Sequence, residues 1–127
     1  MAVSKVIKPT ESELEILRVL WDNGTATVRD VHEALSVHKD SGYTTTLKLM
    51  QIMFEKGIVK RDDSSKTHIY RPNITRENTQ QQFVGKMIHS LFNGSSTQLV
   101  MQALGNHAPN KEELEEIQQL LDNLKKQ

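Results

Sequence analysis

Apolar residues recur every three to four positions along most of this chain, and they give way to a strand-like pattern in one short stretch. Leu14, Leu17, Leu20 and Trp21 fall on one helical stripe. Thr10-Glu11-Ser12-Glu13 supplies the start of that helix, since the Thr10 hydroxyl can accept from the Glu13 amide while the Glu13 carboxylate reaches back. Asp22-Asn23-Gly24 supplies its stop. A second helix is expected from about Val28 to Leu35, capped by Thr27 and buried through Val28, Val31 and Leu35. A third runs from Tyr43 to Lys56, with Leu47, Met50, Met53 and Phe54 inward and Gly57 as a left-handed cap. Residues 58–62 and 67–72 then read as two strands around the turn Asp63-Ser64-Ser65-Lys66, with Ile69 facing the core. Met50, Met53 and Phe54 read as core filling, and Trp21 as a core anchor under the hairpin.

Beyond Pro72 the pattern is helical throughout. Thr75 caps a helix over about 76–92, whose apolar face holds Phe83, Met87, Ile88 and Leu91. Asn93-Gly94-Ser95 breaks it, and Ser96 caps a shorter helix through Leu104 carrying Leu99, Val100, Ala103 and Leu104. Asn110 with Glu113 opens a last helix over 111–125, lined by Leu114, Ile117, Leu120, Leu121 and Leu124. Three amphipathic helices of this size are marginal as an isolated core. Pairing with a second copy is the simplest way to bury their stripes. The expected architecture is mainly α: a winged helix-turn-helix over 1–73 (three helices plus a β-hairpin wing), then a helical dimerisation domain over 74–127. The expected dimer contacts are Phe83, Met87, Leu91, Leu99, Val100, Leu104, Leu114, Ile117, Leu120, Leu121 and Leu124.

Charge refines this division. The chain of 127 residues has 16 basic and 16 acidic side chains, so its total gives no nucleic-acid signal. Residues 42–71 carry a net of +3, however, and residues 73–127 a net of −1. A local positive field of this kind binds phosphates. There is no cysteine, which excludes disulfides and thiolate metal sites and fits a reducing cytoplasm. No apolar run approaches the roughly 20 residues of a membrane helix, so a soluble cytoplasmic protein is expected, with no membrane partner. His32, His38, His68, His89 and His107 are scattered, and His32-Glu33 lacks the second histidine of a zinc-protease helix because position 36 is Ser. No phosphate loop or nucleophile elbow is present. No enzyme activity, metal or cofactor is expected.

Double-stranded DNA is the expected partner. In a winged helix the third helix enters the major groove and the hairpin lies along the phosphates. Thr44 and Thr45, at the start of that helix, can donate to phosphates or base edges and touch thymine methyls. Lys48, one turn on, reaches a guanine edge or a phosphate, and Tyr43 the backbone. Thr45 and Lys48 are expected to carry more of the sequence preference. Lys66, His68 and Arg71 on the hairpin are expected to carry more of the affinity, with Arg29 on the second helix a further phosphate candidate. The alternative is an interaction adaptor that keeps the winged-helix shape without reading DNA.

The segments PTESELEILRVLWDNGTATVRDVHEAL (9–35), GYTTTLKLMQIMFEKGIVKRDD (42–63) and THIYRPNITRE (67–77) resemble, in order and spacing, the penicillinase-repressor family of bacterial transcription regulators, the BlaI/MecI/CopY type. The resemblance spans nearly the whole chain and is strongest over 9–77. It implies a homodimeric, cytoplasmic winged-helix repressor that blocks transcription from palindromic operator dyads, often of a TACA…TGTA kind. It places Tyr43, Thr44, Thr45 and Lys48 at the start of the recognition helix and Lys66 and His68 on the wing. Family members that control β-lactam resistance are inactivated by proteolysis in an L-V-x-N-F segment, which implies a sensor protease as a partner. Here Leu99-Val100-Met101-Gln102-Ala103-Leu104 occupies that stretch, and Gln102-Ala103 stands where Asn-Phe would be. The cysteine cluster of copper-responsive members is absent. The inducing signal stays open.

Overall fold

A computed structural model describes residues 8–127, which fall into two compact units divided between Phe83 and Val84. In the first, α1 (Glu11–Asn23), α2 (Val28–Ser36) and α3 (Tyr43–Lys56) pack together, and a hairpin of β1 (Val59–Asp62) and β2 (Ile69–Pro72) lies against them. This is a winged helix-turn-helix, mainly α. The helix α4 (Arg76–Ser90) follows, then α5 (Ser96–Asn106) and α6 (Lys111–Lys125).

Capping sets the helix starts. Thr10 and Glu13 form a complete capping box on α1, Thr27 and Asp30 another on α2, and Asn110 and Glu113 a third on α6. Glu13 does a second job. It is 2% exposed, and its other oxygen accepts from Lys56 Nζ at 2.9 Å, which ties the start of α1 to the end of α3. Gly57 closes α3 at φ +82°, where a side chain would be strained. On α5 the cap is Ser95 rather than the expected Ser96, its hydroxyl accepting from the Gln98 amide at 3.1 Å.

The core of the first unit is built from Ile16, Leu17 and Leu20 of α1, Val28 and Val31 of α2, Met50 and Met53 of α3, and Ile58, Val59 and Tyr70 of the hairpin. Three expectations are overturned here. Ile69 is 40% exposed, and it is Tyr70, at 1%, that points inward. The reason is register. Ala26, in the α1–α2 connection, exchanges both backbone hydrogen bonds with Tyr70 at 2.9 and 3.0 Å, adding a third short edge to the hairpin and fixing which face of β2 meets the helices. Phe54 is 37% exposed instead of buried, and its ring carries the Arg61 guanidinium at 4.1 Å. Trp21 is half-buried, but it packs on the chain leaving the hairpin rather than under the wing, its indole N–H donating to the Ile74 carbonyl at 2.9 Å.

The second unit has a different character. No residue of α5 or α6 is buried, and Val84, Met87, Leu91, Val100, Met101, Leu114, Leu120, Leu121 and Leu124 are all exposed.

The strand register predicts a contrast in urea unfolding at fixed protein concentration. Tyr70→Ala will cost about 3–5 kcal/mol, the range for emptying an aromatic core site. Ile69→Ala will cost about 1 kcal/mol or less. Equal losses would contradict the register described here.

Candidate nucleic-acid interface

The start of α3 is built to present itself. Its N-cap is Gly42, which offers no side-chain cap, so the Tyr43 and Thr44 amides keep their free valence, the Thr45 amide donating to the Gly42 carbonyl at 3.1 Å, and the positive helix end is uncovered. Tyr43, Thr44, Thr45 and Lys48 are all exposed. The third threonine differs. Thr46 is 2% exposed and faces α2, its hydroxyl 3.5 Å from His32 Nδ1, while the Tyr43 ring meets the His32 ring edge-on at 5.7 Å. The hydroxyl run is thus divided by helical geometry, two members outward and one inward.

A groove of about 500 Å³ lies between α2, α3 and the hairpin, and Arg29, Tyr43, Gln51, Lys66 and His68 line it. Five side chains from three elements therefore converge on one concavity. Gln51 is the member that sequence reasoning missed. Tyr43, Leu47 and Gln51 follow one another at i, i+4, i+8, so one stripe of α3 faces the hairpin, and that spacing was the available signal. A carboxamide there can pair bidentately with adenine in a major groove.

Arg71 stands apart from the groove. It sits opposite Lys60 in the ladder, and both are exposed on the face of the hairpin that turns away from Tyr70. Like charges directly opposed cost a few tenths of a kcal/mol or more, and the Arg71 charge attracts the Asp62 carboxylate. Among the described residues no carboxylate lies within ion-pair distance of Arg29, Lys48 or Lys66.

The remaining hairpin cation has another task. Arg61 donates to Asp63 at 2.6 and 3.3 Å and stacks on Phe54. A hydrogen bond to Tyr70 and then the bond to Asp63 hold its guanidinium above its ordinary pKa. Asp63 in turn lies 3.6 Å from His68 Nδ1. Asp62 braces the turn itself, accepting from the Ser64 amide at 2.9 Å, and that bond holds its carboxyl below the usual carboxylate range. Among the described residues no group of three or more metal-ligating side chains occurs, and no helix is long and apolar enough to cross a membrane.

Of the residues expected in dimer contacts, Met87, Leu91, Val100, Leu114, Leu120, Leu121 and Leu124 are exposed, and Leu99, Leu104 and Ile117 half-buried, all in the second unit. Phe83 belongs to the first unit, where it is half-buried beside α1. Gln102 and Ala103 are exposed but lie inside α5, with helical backbone.

Three helices, a hairpin and an uncapped third helix beside a basic groove define a winged-helix protein of the nucleic-acid-binding type. A model of the penicillinase repressor family matches residues 9–123, and the chain belongs to that family. It is 20% identical to the penicillinase repressor of Staphylococcus aureus over 123 residues, 97% of this chain and 98% of that one. The solution structure of the DNA-binding domain of the repressor BlaI matches with a TM-score of 0.52 at 21% identity, covering 60% of this chain and 93% of that one. The monomeric form of Bacillus licheniformis BlaI in complex with the blaP half-operator matches with a TM-score of 0.50 at 22% identity, covering 58% and 90%. At these identities the two structures speak for the fold.

The turn predicts a pH response. The carboxyl of Asp62 has a depressed pKa in the fold, so its contribution is present above the unfolded value, about 3.9, and is lost as pH falls through the lower folded value. NMR titration will show Asp62 with a midpoint below that of free Asp, with Ser64 amide protection lost over the same interval. An Asp62 midpoint at the ordinary value would remove the brace.

Proposed function

We propose that this protein is a sequence-specific transcriptional repressor that binds palindromic operators as a homodimer, with residues 1–73 reading DNA and 74–127 pairing the subunits. The observation that carries the first half is the groove joining Arg29, Tyr43, Gln51, Lys66 and His68, with Thr44, Thr45 and Lys48 exposed along the same helix. Cations unneutralised by neighbouring carboxylates release counterions from a duplex when they meet its phosphates. Tyr43, Lys66, His68 and Arg29 fix the position of α3 through phosphates and sugars, and Thr45, Lys48 and Gln51 read base edges. Arg71 and Lys60 meet phosphates from the outer face of the wing. The protein does this without catalysis, in the cytoplasm where its operators are.

The second half rests on α5 and α6, in which no residue is fully buried within one chain. Each large apolar side chain removed from water stabilises by about 1.5–3 kcal/mol, and a two-fold partner removes both copies of the same stripe at once. A dimer also presents two α3 helices at fixed spacing, as a palindrome requires. A sensor protease acting at Gln102-Ala103 would have to unwind α5 first, because an extended cleft does not accept a helix.

In operator titrations Thr45→Ala with Lys48→Ala will cut the preference for operator over random duplex by about 10–100-fold, each base-edge contact being worth about 1–3 kcal/mol, with circular dichroism unchanged. Lys66→Ala will weaken binding to both duplexes alike and lower the slope of log K against log salt by about 1. Full selectivity in the double variant would remove α3 from its role and favour the adaptor.

Leu121→Asp with Leu124→Asp will shift the protein to a monomer in sedimentation velocity. Affinity for the full dyad will fall by at least about tenfold while half-site binding persists, since linked heads gain from effective concentration. A dimer that survives both changes would place the pairing surface elsewhere.

A further inference from the structure

A second concavity lies within the first unit, on helices α1 and α4 rather than on α2, α3 and the hairpin. Its volume is about 440 Å³. Leu14, Trp21 and Phe83, all half-buried, supply its apolar surface. Its size falls in the lower part of the roughly 300–1,000 Å³ typical of ligand pockets, and an apolar lining with a few polar groups is the usual composition.

The charges around it define what it takes. The Arg76 guanidinium lies over the Trp21 ring at 5.4 Å and is held by Asp22 at 2.7 Å. Lys8 Nζ lies over the Phe83 ring at 5.1 Å. The Glu15 carboxylate is occupied by Lys39 at 3.1 Å. Arg18 is exposed on the wall and, among the described residues, has no carboxylate within ion-pair distance. The lining itself carries Arg18 and Arg76 against Glu11 and Glu15; with Arg76 held by Asp22 and Glu15 by Lys39, Arg18 and the nearby Lys8 are left against Glu11 alone. The site therefore joins an aromatic and aliphatic floor to one uncommitted guanidinium, and a planar fork of that kind pairs with a carboxylate through two parallel hydrogen bonds.

We propose that this groove binds a small amphipathic organic monoanion, a carboxylate on a body of about one ring, with Arg18 taking the charge and Leu14, Trp21 and Phe83 the body. The site is separate from the DNA-reading groove, and its test uses protein without DNA, so it stands or falls independently of the repressor assignment.

Trp21 is the only tryptophan in the chain, and it lines the groove, so its fluorescence reports occupancy directly. The full-length protein is titrated with phenylbutyrate, phenylbutanamide and phenylbutylamine, which share one body and differ in charge. The expected result is a saturable change with phenylbutyrate at sub-millimolar to millimolar concentration. The amide should bind about tenfold more weakly, the ratio a charge-assisted hydrogen bond supplies, and the amine more weakly still. Arg18→Gln should erase the preference for the anion with circular dichroism unchanged. Glu11→Gln, which removes a negative charge from the wall, should tighten phenylbutyrate a few-fold. Absence of saturation at millimolar phenylbutyrate, equal affinities across the three compounds, or an undiminished anion preference in Arg18→Gln would each overturn the proposal.

Discussion

Two backbone hydrogen bonds between Ala26 and Tyr70 hold the hairpin to the helices, and the buried Tyr70 ring fills the space they enclose. The hairpin alone could not do this, since an isolated two-stranded ribbon is marginal in water. Ala26 lends it a third edge, and the edge decides the phase of the strand. With Tyr70 inward, His68 shares its parity along the chain and comes to the groove beside α3, while Arg71 and Lys60 go to the opposite face. Arg61 completes the attachment from the other strand, stacking on Phe54 and pairing with Asp63. The placement of Lys60, His68 and Arg71 thus follows from a contact some 44 residues distant in sequence.

That dependence explains what could be read in advance and what could not. Helix boundaries are local matters of caps and periodicity, so Thr10, Thr27, Asn110 and Gly57 announced α1, α2, α6 and the end of α3, and the winged helix followed from their order. Strand phase is not local. Over four residues, Ile69-Tyr70-Arg71-Pro72, one parity offers Ile69 with Arg71 and the other Tyr70 with Pro72, and the pairing with Ala26 selects the second. Phe54 failed for a related reason. The buried stripe of α3 centres on Thr46, Met50 and Met53, which leaves Phe54 at its margin, and the guanidinium that covers it comes from β1. Gln51 was legible only through its spacing from Tyr43 and Leu47 on one stripe of α3, and that stripe gains a meaning once the hairpin is placed opposite it. The α1–α4 groove was out of reach, because Arg18 looks like any solvated surface charge until Trp21 and Phe83 are seen together.

Electrostatically the molecule is economical with its pairs. Glu13, Asp22 and Glu15 each pair with a cation distant in sequence, Lys56, Arg76 and Lys39, and Asp63 pairs locally with Arg61. The cations at the candidate interface are not so assigned. A chain with equal numbers of acidic and basic groups can still keep a positive working face where, among the described residues, no carboxylate pairs with Arg29, Lys48 or Lys66. Overall neutrality says little about binding when the two signs have different tasks.

The wet apolar stripes of α5 and α6 have a consequence for the life of the protein. Left uncovered, they form a greasy ledge of the kind that chaperones and housekeeping degradation machinery seize, and the pairing proposed above would hide it.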